Sequence, residues 1–256
     1  MIIFQYDKTF EGLLTSLFEA YYLKTFPDKL SDEQECLTLF EDELITIVTD
    51  SSKAARVWRS LEKKLSHAAL TMVSSCWLAD GYPNVDELLF RYLRKAIDAP
   101  VSTELNFGDM DVLQLSKVYK QVRYERMRVM QFLRFQKAAD GTYFAVFEPL
   151  HNVLPLAIDH FRDRFADQKW FIYDMQRQYG YYYDLKEVRQ ITVTEKGIPL
   201  LTGFLDDATM AEDERLFQQL WKTYFKAIAI KERANPRKHR QDMPVRYWKY
   251  LIEKQQ

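Results

Sequence analysis

The sequence predicts an α+β protein, with a mostly helical amino-terminal half and a carboxy-terminal half that mixes strands and helices. Three observations carry this expectation. Apolar residues recur at three- and four-residue spacing through much of the first hundred positions, as an amphipathic helix requires. The run FLRFQKAADGTYFAVFEP alternates on either side of Asp140–Gly141, a dipeptide that accepts the positive φ of a tight hairpin. The strand-like segments after it do not alternate regularly with helices, which favours a mixed antiparallel sheet over a doubly wound one.

Taken in order, Ile2–Tyr6 reads as a strand and Phe10–Lys24 as a helix carrying Phe10, Leu13, Leu14, Leu17, Phe18 and Tyr21 on one face. Leu37–Phe40 and Leu44–Val48 read as short strands. TDSSKAARVWRSLEKKL opens with capping residues and predicts a helix over Ser52–Leu65. Ala68–Leu78 and Val85–Ile97 follow as helices, parted by the turn residues DGYPN. Asp111–Met130 reads as one long helix with Val112, Leu115, Tyr119, Val122, Arg126 and Val129 near one stripe. Asn152–Phe165 is helical with Pro155 in its first turn, where a missing N–H costs nothing. KWFIYDMQRQ and YGYYYDLKEVRQITVT supply strands, Glu212–Ile230 a helix, and a last short helix begins after Pro244. At 256 residues the chain is long enough for two modest domains, expected at 1–105 and 106–256 with a junction near Asp98–Asp109.

Composition narrows the chemistry. The 7 glycines include no G-x-x-x-x-G-K-[ST] or G-x-G-x-x-G run, so no glycine loop is available to cradle phosphates. Cys36 and Cys76 are too few for a disulfide framework or a thiolate metal site, and His67, His151, His160 and His239 lack ligand spacing. No metal and no cofactor is expected. MIIFQYDKTF lacks the order of a signal peptide, and no apolar run approaches the roughly 20 residues that span a bilayer. The expected setting is cytoplasmic, with no membrane partner.

The formal net charge of −1 hides an asymmetry: eight acidic residues and one lysine lie between Asp28 and Asp50, whereas Lys231–Lys249 holds seven Lys/Arg against two acids. The acidic stretch reads as a solvated loop. The basic stretch, ordered by Asn235–Pro236 and Met243–Pro244, reads as a phosphate-facing track, because Lys/Arg contacts dominate nucleic-acid affinity. Its contact residues are Lys231, Arg233, Asn235, Arg237, Lys238, Arg240 and Arg246; Arg123, Arg126, Arg128 and Arg134 join them from the long helix and the hairpin. Tyr124, Tyr181, Tyr182, Tyr183 and Tyr247 are the candidate rings on which bases stack, while Trp248 reads as a buried anchor. Weaker candidates for acid–base work are His151, Asp174, Arg177 and Asp184, with His151 and Asp174 as the leading pair. On a strand, Asp174 and Gln176 would share the face opposite Tyr173 and Arg177; a buried Asp–Arg pair that only supports the fold is the plainer reading of these residues.

Four stretches carry a family resemblance: TDSSKAARVWRSL, VRYERMRVMQFLRF, YFAVFEPLHNVLPLAIDHFRDRFADQKWFIYDMQRQYGYYYD and LWKTYFKAIAIKERANPRKHRQDMPVRYWKYLIE. In this order they resemble a bacterial family with a domain of unknown function, described as acting in DNA metabolism or DNA repair. The resemblance implies a DNA-linked role and a partner enzyme, either a radical-SAM protein encoded alongside or a uracil-DNA-glycosylase-type domain to which such chains are fused. It supplies no catalytic residues. The chain lacks a C-x-x-x-C-x-x-C run, so radical-SAM chemistry would belong to the partner, and no attached glycosylase domain is expected. Three readings stand: a DNA-binding protein that assists such an enzyme, a nucleic-acid-processing enzyme using His151 and Asp174, and a protein–protein scaffold with no DNA affinity.

Overall fold

The structure, a computed structural model, describes residues 1–32, 43–192 and 203–255. It is α+β, and its contacts divide it into two compact units, Met1–Val122 and Arg123–Gln256, with the division inside a helix.

The first unit holds a three-stranded parallel sheet in the order β2-β1-β3, from β1 (Ile2–Tyr6), β2 (Lys29–Asp32) and β3 (Glu43–Thr46). Ile3, Phe4 and Tyr6 of the central strand are buried, as a strand covered on both faces requires. Helices α1 (Phe10–Leu23) and α4 (Val85–Asp98) pack against its strands, and α2 (Ser51–Lys64) and α3 (His67–Trp77) pack on the other helices. Local capping sets their starts: Thr9 Oγ1 accepts from Gly12 N at 2.9 Å, and Asp50 Oδ1 accepts from Ser52 N at 2.8 Å and Lys53 N at 3.2 Å. The strand expected over Leu37–Phe40 lies outside the described residues, as does Cys36. Cys76 is buried among the helices.

Helix α5 (Met110–Phe132) crosses from one unit to the next. Its buried stripe runs through Val112, Leu115, Val118, Val122, Glu125 and Val129. The expected stripe placed Arg126 there; Glu125 takes that position and Arg126 faces solvent.

The second unit is built on a five-stranded sheet, β4-β5-β6-β7-β8, from β4 (Gln136–Lys137), β5 (Tyr143–Phe147), β6 (Trp170–Asp174), β7 (Tyr179–Tyr183) and β8 (Val188–Ile191). The hairpin forms where Asp140–Gly141 places it, with Gly141 at φ 82° and Asp140 Oδ1 accepting from Thr142 N. The sheet is mixed, because β5 and β6 run parallel and are joined by α6 (Leu154–Arg164). Trp170, fully buried, packs between Phe161 of α6 and Tyr183 of β7. Gly180 lies where a Cβ would come 2.5 Å from the Ile172 carbonyl oxygen, so Gly180→Ala is expected to cost about 1–3 kcal/mol of stability in chemical denaturation.

Helix α7 (Glu214–Ala227) is tied down at its start. The segment ahead of it is zipped to β4, with Ala211 N donating to Lys137 O at 3.0 Å, Ala139 N to Thr209 O at 2.9 Å, and Lys137 Nζ lying 2.9 Å from Asp213. A seven-residue helix that the expected elements did not include, α8 (Pro236–Asp242), follows; Asn235 Oδ1 caps it by accepting from Lys238 N at 3.0 Å. Two 3₁₀ turns, Val245–Tyr250 and Ile252–Lys254, end the described chain. None of the described helices is long and apolar enough to cross a membrane.

Candidate nucleic-acid interface

Of the acid–base candidates, Asp174 and Arg177 form a buried network under the loop Glu148–Val153, which carries His151, at the carboxyl ends of the parallel strands β5 and β6. Asp174 is 1% exposed. One of its oxygens accepts the N–H groups of Gln176 and Arg177 at 2.9 and 3.1 Å, and the other lies 2.9 Å from Arg177 Nη1. The same guanidinium donates to the carbonyls of Pro149 and Leu150 at 3.0 and 3.1 Å. Strand β6 ends at Asp174, so Gln176 and Arg177 occupy a turn and the expected two-faced strand arrangement does not form. Burial pushes the Asp174 carboxyl above its ordinary value, against the pull of Arg177 and the two amides. His151 is also buried and Asn152 pairs with the Tyr179 hydroxyl. Both His151 and Asp174 are closed off from solvent, and Asp174 acts through Arg177 to hold the loop. Asp184, accepting from Lys186 N and Glu187 N at 2.9 Å each, shapes the turn between β7 and β8, and those bonds hold its carboxyl below the usual range.

A second buried carboxylate, Glu125, ties the terminal segment to α5. It accepts from Leu150 N at 2.7 Å and from Arg246 Nη2 at 2.6 Å, with Arg128 Nη1 at 3.6 Å. Tyr247 accepts from the same Arg246 nitrogen and stacks on Phe147 at 4.8 Å between ring centres. It is fully buried, so the expectation that Tyr247 is an exposed stacking ring is corrected: its ring fills the sheet core. Tyr183 is likewise buried, Tyr181 and Tyr182 are half-buried, and Tyr124 is exposed.

The expected phosphate contacts divide into two groups. Arg128, Arg134, Lys238 and Arg246 each have a carboxylate oxygen within 4 Å: Glu125 for the first and last, Glu253 for Arg134, and Asp242 for Lys238. The Lys238–Asp242 pair is largely exposed and contributes little. Arg126, Arg233, Arg237 and Arg240 are exposed, and among the described residues none has a carboxylate partner. Arg123 is exposed on α5. Lys231 lies outside the residues whose side chains the structure describes. Asn235 acts as the cap of α8, which presents Arg237 and Arg240 outward.

Ring contacts join this helix to the rest of the unit. The His239 ring sits 5.6 Å from Trp248, whose indole donates to Met243 O at 3.0 Å. Lys254 Nζ lies 4.9 Å from the centre of Trp248 and 5.2 Å from that of Phe225 on α7. Trp248, half-buried, is thus a joint between the basic helix and α7, close to the anchoring role expected of it.

Beside that joint is a groove of about 480 Å³ that the sequence reading missed, lined by Gln131, Arg134, Phe135, Phe217, Gln218 and Trp221 among others. Glu253 organises it: one carboxylate oxygen lies 2.8 Å from Arg134 Nη2 and the other accepts from the Trp221 indole N–H at 2.9 Å. The guanidinium carbon stands 5.5 Å from the indole centre. The helical period correctly places Leu216, Leu220, Trp221 and Tyr224 on α7, but as an apolar stripe it reads as core, whereas these side chains are exposed. Burial pushes the Glu253 carboxyl up, but its hydrogen bonds from Arg134 and Trp221 outweigh that and leave it below the ordinary 4.5. Its contribution to stability is therefore complete above that value and lost as pH falls through the lower folded one. Thermal unfolding is expected to show this loss on acidification, and Glu253→Gln should remove that part of the pH dependence.

Among the described residues no cluster of three or more His, Cys, Asp or Glu is placed to hold a metal ion. Residues 83–253, about two thirds of the chain, match a family described as a domain of unknown function, DUF4130. No curated protein matches the sequence. Among solved structures it is similar to the pGpG-specific phosphodiesterase PggH from Vibrio cholerae, with 10% identity over 89% of this chain and 99% of that one and a TM-score of 0.33. A likeness that remote carries no argument about this chain.

Proposed function

We propose that this chain, which belongs to the DUF4130 family, binds DNA through its carboxy-terminal basic segment and serves a partner enzyme of DNA metabolism or repair. The observation that carries the reading is the state of α8: it is capped, anchored through His239 on Trp248, and exposes Arg237 and Arg240 without carboxylate partners among the described residues. Exposed guanidinium groups on an ordered element keep their full charge for phosphate, and release of counterions then drives binding. The partner proposed is the radical-SAM or uracil-DNA-glycosylase-type enzyme that the sequence resemblance implies.

Fluorescence polarisation with single- and double-stranded oligonucleotides at low salt tests the DNA part, and copurification with the candidate enzyme tests the partnership. Salt-sensitive binding is the expected result. A chain that binds neither oligonucleotide at low salt is not a DNA-binding protein. The exposed apolar side chains of α7, including Leu216, Leu220 and Tyr224, favour a second reading as a protein-docking scaffold, which predicts complex formation without any oligonucleotide affinity. The enzymatic reading through His151 and Asp174 loses its basis, because neither side chain reaches solvent.

A further inference from the structure

We infer that the groove between the end of α5 and the start of α7 is a base-binding site, which takes one unstacked nucleobase against Trp221 and favours guanine. This rests on the proposed nucleic-acid binding and deepens it.

The platform is built before any ligand arrives. The Glu253 side chain is fully buried, and it fixes both the indole plane of Trp221 and the guanidinium of Arg134. With the indole N–H satisfied, what Trp221 presents to the groove is ring surface. Trp221 is also the exposed tryptophan of this chain; Trp58, Trp77 and Trp248 are half-buried and Trp170 is fully buried. An aromatic face of this kind stacks any base, because every base has a π-face.

The edge of the groove adds selectivity. Glu214 is 6% exposed and lines the groove, and one of its oxygens already accepts from the Gln218 amide at 2.9 Å. That bond uses one N–H of the Gln218 amide and one oxygen of Glu214, and the Glu214 carboxylate keeps its second oxygen as an acceptor. A carboxylate at the edge suits a base whose own edge carries adjacent N–H donors. Guanine has two, N1–H and the N2 amine; the corresponding edge of adenine or thymine alternates donors with acceptors. The groove volume of about 480 Å³ admits a mononucleotide. Lys254, held against Phe225 and Trp248 on the turn that also carries Glu253, supplies a cation for the adjoining phosphate, and the contact of Trp248 with His239 continues the path to α8.

The test is quenching of Trp221 emission in the full-length chain by guanosine, adenosine, cytidine and uridine monophosphates, together with polarisation of labelled single-stranded oligonucleotides. Guanosine monophosphate is expected to quench and to bind at least about tenfold more tightly than uridine monophosphate. Glu214→Gln should abolish that preference while stacking persists. Trp221→Ala should weaken oligonucleotide binding by roughly tenfold or more, as loss of one stacked base predicts; because Trp221 is partly exposed, unchanged circular dichroism will show that the variant folds. Salt-sensitive oligonucleotide binding that is unaltered by Trp221→Ala, with no quenching by any nucleotide, overturns the base site and leaves the basic track standing. Quenching by guanosine monophosphate in a chain that binds no oligonucleotide upholds the groove and overturns the polynucleotide reading. Quenching of equal strength by all four nucleotides overturns the guanine preference.

Discussion

Asp174→Ala is expected to destabilise the second unit by about 3–5 kcal/mol, the range for breaking a buried ion pair by removing one partner. The pair itself is not the source of this cost: burial raises the carboxyl's pKa, so desolvation already offsets much of the attraction to Arg177. Removing Asp174 instead strands what it serves. Arg177, whose side chain is only 12% exposed, would keep its charge beside the neutral Pro149 and Leu150 carbonyls, and two turn amides would lose their acceptor. Urea unfolding checks the value. Asp174→Asn, which can still accept from the amides, should cost clearly less, and adding Arg177→Met to Asp174→Ala should recover part of the loss. Equal costs for Asn and Ala would show that the turn amides carry no weight.

The second large effect is on affinity. Replacing Arg233, Arg237 and Arg240 together by glutamine is expected to weaken single-stranded DNA binding roughly ten- to a hundredfold at low salt. It should also flatten the slope of log K against log salt by about 2, at about 0.7 per phosphate contact for a single strand. These arginines are exposed and, among the described residues, free of carboxylates, so stability should change little. Arg246→Gln is the informative contrast. Its guanidinium is bound to Glu125 and Tyr247, so its loss should lower stability more than it changes the salt slope. A slope unchanged by the triple substitution removes α8 from the interface.

Much of the local architecture was legible in the sequence because its causes lie within a few residues. The hairpin follows from Asp140–Gly141, the start of α2 from Asp50 and Ser52, and the first turn of α6 from Pro155. The short helix α8 escaped notice for a related reason: a proline followed by six polar residues carries no apolar period, and only the pair Asn235–Pro236 marks its start.

By itself, then, the sequence determined the order and type of most elements, the α+β class, and an exposed cationic segment near the carboxy terminus. Which charges remain available was decided by the tertiary structure. Glu125 reaches Arg246 across 121 positions and Glu253 reaches Arg134 across 119, and no local pattern encodes either pairing. The same holds for rings: Tyr247 turns inward onto Phe147, while Trp221, on a stripe that reads as core, is left facing a groove. Caps and turns depend on near neighbours along the chain, whereas burial and charge pairing depend on what the fold brings alongside, and the candidate interface consists of the second kind of fact.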